Sequence, residues 1–270
     1  MMELLDYTFF QHAVWGSLLA SIICGMIGTY IVTRRLVFIS GGLTHASFGG
    51  IGIGLYAGIS PIMSAALFAV LSAFGIEWFS KRSDMREDSA IAVFWTFGMA
   101  VGIIFTFLSS GFAPDLSAYL FGNILTITRT DLFFLAVVAF VVGLFYFCLK
   151  DVIKNVAFDR EFVRSQGVPV RLIEYLMMML IALSIVACLR MVGIVLVISL
   201  MTIPQMIANL FTCRFERVVW LSMVIGFVCC IGGLLISFYH NIPSGASIIF
   251  LSIVIYALCK TGKALLNRSR

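Results

Sequence analysis

The sequence feature that most limits the fold is a run of 18 uncharged, mostly apolar residues, LFFLAVVAFVVGLFYFCL, at positions 132–149. A helix needs about 20 apolar residues to cross a bilayer, whereas a strand of a membrane β-barrel alternates apolar and polar residues over about 10 positions. The run is continuous rather than alternating, so it predicts a transmembrane helix. Over the whole chain 61% of residues are hydrophobic and 11% are charged, against roughly a quarter charged in a soluble domain. We therefore expect an integral membrane protein.

Similar runs recur along the chain and predict an all-α polytopic protein of eight or nine transmembrane helices, folded as a single domain over 1–270. The nine candidate spans cover 13–33, 37–57, 61–79, 89–108, 131–149, 172–189, 192–212, 218–238 and 244–260. A shorter apolar piece, DLSAYLFGNILTI at 115–127, cannot cross the bilayer and is predicted to be re-entrant or interfacial. Pro204 falls inside the seventh span, where a proline is expected to kink the helix.

The distribution of basic residues predicts the orientation in the membrane. If the first span runs inward, 16 of the 18 Lys and Arg residues fall on the cytoplasmic side, and only Arg129 and Arg190 fall outside. The N-terminus is then outside and the C-terminus cytoplasmic. The first 12 residues contain two acids and no Lys or Arg, unlike the basic start of a cleaved signal, so the first run is expected to be a retained span. The net charge of +5 is explained by anchoring at the lipid surface, and no nucleic-acid partner is expected.

His45, in the stretch ISGGLTHASFGG at 39–50, is an ionisable residue in a segment of small side chains. It lies on the order of 13 Å into the second span, with Gly41 and Gly49 one turn away on the same helical face. These two glycines are predicted to let another helix approach closely, or to leave a space beside the imidazole. Two interpretations remain open: a ligand or proton relay on a transport path, or a neutral histidine packed in the bundle.

The cytoplasmic interruption at 150–171 contains AFDREFVRSQGVPV at 157–170, which fits a short amphipathic helix. Phe158 and Phe162 would share one face, Asp159 and Glu161 supply charge, and Gly167 precedes a proline that ends the helix. Such a helix can lay its apolar face in the groove of a partner, or it can lie on the membrane surface. The residues alone favour neither.

The sequence contains none of the motifs that would make the chain an enzyme. There is no Gly-rich phosphate loop with its Lys and Ser or Thr, no HExxH and no serine-centred elbow, so ATP hydrolysis would need a separate subunit. The seven cysteines form no CxxC pair and are expected to be small core residues. Glu87 and Asp88 are expected to cap a helix N-terminus, and Glu77 is expected to snorkel toward the cytoplasmic surface.

Six stretches in order resemble the permease subunits of ABC importers for zinc, manganese or iron. They are RRLVFISGGLTHASFGGIGIG at 34–54, REDSAIAVFWTFGMAVGI at 86–103, DLSAYLFGNIL at 115–125, AFDREFVRSQGVPV at 157–170, LRMVGIVLVISLMTIPQMIA at 189–208 and NIPSGASII at 241–249. The resemblance implies the transmembrane architecture of cobalamin-type importers and a location in a bacterial cytoplasmic membrane. It implies a homodimer of this chain, two copies of a cytoplasmic ABC ATPase, and an extracytoplasmic metal-binding protein. It also makes 157–170 the coupling helix, with Zn2+, Mn2+ or Fe2+ as transported substrate and no stably bound cofactor.

The chain departs from the family pattern beside the histidine. The family carries an acid four residues before it, where this chain has Gly41, so the resemblance places His45 on the ion path without that carboxylate. A family aspartate near the last outer turn is replaced by Asn241. Because manganese prefers more oxygen ligands than zinc, the missing carboxylate favours zinc. Two alternatives are a permease for an iron chelate and a stand-alone transporter driven by an ion gradient, although few acids lie in the spans to serve the latter.

Overall fold

The structure, a computed structural model, describes residues 7–82, 85–109 and 124–268. Within these ranges the chain forms ten α-helices and one turn of 3-10 helix at Ile124–Thr126, and it contains no strand. The helices are α1 (Thr8–Thr33), α2 (Val37–Ala57), α3 (Pro61–Arg82), α4 (Glu87–Leu108), α5 (Arg129–Phe158), α6 (Arg160–Ser165), α7 (Val170–Leu200), α8 (Ile203–Phe211), α9 (Phe215–His240) and α10 (Ser244–Arg268).

Eight segments of the described chain are long and apolar enough to cross a membrane, which confirms the all-α polytopic prediction. The predicted span 37–57 is also a helix, α2, and at 21 residues it is long enough to span. It is not among the eight because its many glycines and hydroxyl residues, together with His45, lower its hydropathy. Most of the predicted re-entrant piece, 115–123, lies outside the described residues.

The sixth and seventh spans meet differently from the prediction. Helix α7 runs on to Leu200, but at Gly193 the backbone takes φ 75° and ψ 169°, a conformation essentially restricted to glycine. Pro204 lies inside the candidate span Met191–Phe211, and the helix of that span is interrupted by a turn at Met201 and Thr202, directly before the proline. It stands in the first turn of the short helix α8, where its missing N–H has no helical partner to lose. The predicted distortion at Pro204 is therefore present, as a break between α7 and α8 rather than a bend within one helix.

The helices form two groups joined by α7. Helices α2, α3 and α4 pack against one another, and α1, α5, α8, α9 and α10 form the second group. Helix α7 contacts α2 and α3 on one side and α1, α5 and α10 on the other. The contact between α2 and α4 is the most extensive in the described chain. It is close because small residues face each other: a Cβ added at Gly98 would lie 2.5 Å from the Cα of Ala46.

Candidate functional site

His45 lies against α4, where its ring stacks on the indole of Trp95. The two ring centroids are 4.4 Å apart and the planes differ by 8°. The histidine is half-buried, and its Nδ1 atom is buried with no hydrogen-bond partner among the described residues. A buried ring nitrogen without a partner is unusual, because imidazole in a packed bundle normally bonds a carbonyl or hydroxyl. The imidazole is therefore held by stacking rather than by hydrogen bonds.

The two glycines on the face of His45 have different surroundings. A Cβ at Gly41 would lie 3.6 Å from the Trp95 ring and 3.7 Å from the Ile198 side chain, which is ordinary contact distance. A Cβ at Gly49 would lie 2.9 Å from the carbonyl oxygen of Gly98, which is too close. Gly49 thus stands where two backbones meet, whereas a Cβ at Gly41 would fit at ordinary contact distance from its neighbours.

The residues the structure describes supply no ready-made metal centre. Across 7–82, 85–109 and 124–268, no group of three or more His, Cys, Asp or Glu side chains could hold an ion. Stable metal sites in proteins usually combine three or four ligands, so within these ranges the imidazole of His45 is not part of such a site.

A cluster of ionisable side chains, which sequence reasoning missed, joins three helix ends at one end of the bundle. Glu174 of α7 is 4% exposed, and its carboxylate accepts a hydrogen bond from Arg34, just after α1, at 3.1 Å. Lys81 of α3 forms ion pairs with both Glu174 and Glu77. The expectation that Glu77 snorkels to the surface was wrong: it is buried because Lys81, one turn later, pairs with it inside the protein.

The predicted docking segment forms a short helix beside this cluster. Helix α5 ends at Phe158, Asp159 is extended, and the Asp159 carboxylate accepts the backbone N–H of Phe162 at 3.0 Å to cap α6. Phe158 and Phe162 therefore belong to different helices, so the prediction of one amphipathic helix carrying both was wrong. The capping preference of Asp159 is the cause, because it ends one helix and begins the next.

The side chains of this segment nevertheless project outward. Phe158 is 64% exposed and Phe162 is 54% exposed, while Val163 is buried against the bundle. Glu161 pairs with Arg164 at 3.0 Å on the exposed surface. Gly167 has φ +79°, which turns the chain toward α7. On the inner side, Arg160 lies 4.0 Å from Glu174, so α6 adjoins the buried ion cluster.

Comparison with known proteins identifies the family. The family model described as the ABC 3 transport family matches residues 6–261. The chain belongs to this family of metal ABC transporter permeases.

Individual relatives agree over nearly the whole chain. The manganese transport system membrane protein MntC of Halalkalibacterium halodurans is 34% identical over 257 residues, which cover 95% of this chain and 88% of that protein. Among solved structures, PsaBC from Streptococcus pneumoniae in complex with Fab superposes with a TM-score of 0.85 at 25% identity, covering 96% of this chain and 93% of that one. An ABC transporter of metal-chelate type in an inward-facing conformation gives a TM-score of 0.72 at 17% identity, covering 94% and 86%, and shows the shared fold alone.

Proposed function

We propose that this chain is the permease subunit of an ATP-driven importer that moves a divalent metal ion across a bacterial cytoplasmic membrane. The family match over 6–261 carries the proposal, and the short exposed helix α6, which we assign to docking of a cytoplasmic ATPase, supports it. In this proposal two copies of the chain enclose the path, and the N-terminus is outside. Two ATPase subunits bind below, and an extracytoplasmic metal-binding protein delivers the ion.

The coupling step follows from the surroundings of α6. Phe158 and Phe162 offer exposed apolar anchors, and the Glu161–Arg164 pair offers charge beside them. Aromatic residues are enriched at protein interfaces, where charged residues lie mainly at the rim. Movement of a bound ATPase would displace α6, and the buried cluster around Glu174 would pass that displacement to α1, α3 and α7.

The ion path is proposed to pass His45, whose buried Nδ1 has no hydrogen-bond partner among the described residues. Manganese is the first cargo to test, because MntC is named for manganese transport and shares 34% identity with this chain. Zinc is the second, because a lone imidazole without a carboxylate suits zinc better than manganese.

The test is metal uptake into proteoliposomes holding the permease, its ATPase and its binding protein. Uptake of manganese and zinc would be followed with and without ATP, for wild type, His45→Ala and Ser47→Ala. Ser47 is a matched control, since it is buried two residues along α2 and bonds only its own helix, at the carbonyl of Thr44.

We expect ATP-dependent uptake that falls at least tenfold in His45→Ala and stays near wild type in Ser47→Ala. Uptake without ATP by the permease alone would overturn the importer in favour of a gradient-driven transporter. Equal uptake by wild type and His45→Ala would leave the importer standing and remove His45 from the path.

A further inference from the structure

Next to the cluster of ionisable side chains around Glu174, an apolar groove opens on the surface of the helix bundle between α3 and α7. It is shallow and open, has a volume of about 430 Å³, and is lined by Phe74, Gly75, Trp78 and Tyr175. The groove adjoins a charged cleft of about 730 Å³, and Trp78 and Tyr175 line both. An apolar groove and a charged cleft thus share one wall at the end of the bundle.

The charges of the cleft leave cations in excess. Among the described residues, six Lys and Arg side chains line it against four carboxylates. The buried carboxylates are already paired, since Glu174 binds Arg34 and Lys81, and Glu77 binds Lys81. Arg82 and Arg171 form no ion pair with any described residue. Within this part of the chain, these two guanidinium groups can therefore bind an anion.

Aromatic rings hold the cations at the border between groove and cleft. The Arg82 guanidinium lies 5.6 Å from the centre of the Trp78 ring, and the Lys81 ammonium lies 5.7 Å from that of Tyr175. The Phe74 and Tyr175 rings meet edge to face at 5.8 Å and continue the apolar wall. Tryptophan and tyrosine beside basic residues mark the level of lipid headgroups in membrane proteins.

We propose that groove and cleft together bind one anionic phospholipid, with an acyl chain along the groove and the phosphate at Arg82 and Arg171. A small free anion would leave the apolar groove unfilled. A zwitterionic lipid would bring its own positive charge into a cleft that already has an excess of positively charged side chains. Basic pockets between membrane helices are known to recognise anionic headgroups in this way. The site depends on this surface alone, and not on which ion the permease carries.

The proposal can be tested on the full-length permease purified in detergent, by native mass spectrometry during titration with phosphatidylglycerol or phosphatidylcholine. We expect one tightly bound phosphatidylglycerol. Arg82→Ala and Arg171→Ala should each weaken its binding about fivefold, and the double variant about thirtyfold. Arg217→Ala is the matched control, because Arg217 is exposed near the start of α9 and does not line the cleft. Size-exclusion elution confirms that each variant is folded.

Occupation of the groove itself is read from tryptophan fluorescence. Phosphatidylglycerol with brominated acyl chains should quench the tryptophan fluorescence of the wild-type protein more than brominated phosphatidylcholine does. Trp78→Phe should remove this difference in quenching. Equal affinity for the two lipids, or unchanged affinity in the double arginine variant, would overturn the proposal. Displacement of the lipid by inorganic phosphate at similar concentration would show a free-anion site and overturn it as well. Metal uptake reports on the transport function separately.

Discussion

Two contacts in this permease hold helices together by opposite means. Helices α2 and α4 meet through glycines and alanine, so closely that a single added methyl group would collide with backbone. The ends of α1, α3 and α7 instead meet through long charged side chains around Glu174. The difference follows from the depth at which each contact lies in the membrane. Inside the bilayer small residues gain close packing without burying charge, whereas near the surface ion pairs can form with cations reaching from the aqueous side.

The largest expected effect comes from adding one methyl group to the first contact. Gly98→Ala would place a Cβ 2.5 Å from the Cα of Ala46, and backbone cannot move aside as a flexible side chain can. We expect a loss of about 4 kcal/mol or more in stability, seen as aggregated protein on size exclusion. Gly143→Ala is the control: a Cβ there meets nothing within 4 Å, so stability should rise slightly. Monodisperse Gly98→Ala protein with wild-type thermal stability would contradict the close packing of α2 and α4.

The next effect tests the charged contact. Glu174→Gln removes the shared partner of Arg34 and Lys81 while keeping the side-chain size, and it leaves buried positive charge less compensated. We expect a loss of about 3 kcal/mol, measured as a fall in the melting temperature in detergent.

The matched control for Glu174 is Glu216→Gln. Glu216 pairs with Lys154 at 3.0 Å on the exposed surface, and that pair should contribute about 1 kcal/mol or less. Equal effects of the two substitutions would mean that burial adds nothing to the Glu174 cluster.

A third substitution introduces a charged residue on α2, the helix that meets α4 through small residues. Gly41→Asp places a carboxylate one turn before His45, in a position with room for a Cβ. Two ligands on one helical face should bind Mn2+ about tenfold more tightly than His45 alone, about 1.4 kcal/mol. Isothermal titration with Mn2+ measures this, with Gly41→Ala separating the added carboxylate from added bulk. Identical Mn2+ binding by the two variants would show that residue 41 does not face the ion.

The smallest expected effect concerns the stack of His45 on Trp95. Trp95→Leu removes the aromatic face and should cost about 1 kcal/mol, whereas Trp95→Phe retains a ring and should cost less. Thermal unfolding of the two variants measures the difference. If Trp95→Leu is no less stable than Trp95→Phe, stacking is not what holds the imidazole.

Much of the architecture was predictable from the sequence because the bilayer demands long apolar helices. Glycine spacing pointed to close packing around Gly49, and charged residues followed by Gly167 and a proline marked the segment 157–170, although the cap at Asp159 that divides it was not foreseen. The pairing of Glu174 with Arg34 was not predictable, since 140 residues separate them and single-chain periodicity says nothing about which helices become neighbours. The Trp95 stack was missed for the same reason.

The sequence marked one of the two departures from helical geometry in this region and missed the other. Pro204 marked the break after Leu200, because a helix usually ends at or before the residue that precedes a proline. Gly193 was missed, because a glycine inside an apolar run carries no sign of whether it adopts a left-handed conformation.

The short connections of α6 have a mechanical consequence. One extended residue, Asp159, ties it to α5, and a turn containing Gly167 ties it to α7. Such joints behave as pivots, because they change direction at one or two backbone angles without unwinding either neighbouring helix. If a partner binds α6 as proposed above, we expect these joints to let α6 rotate as a small rigid lever rather than bend.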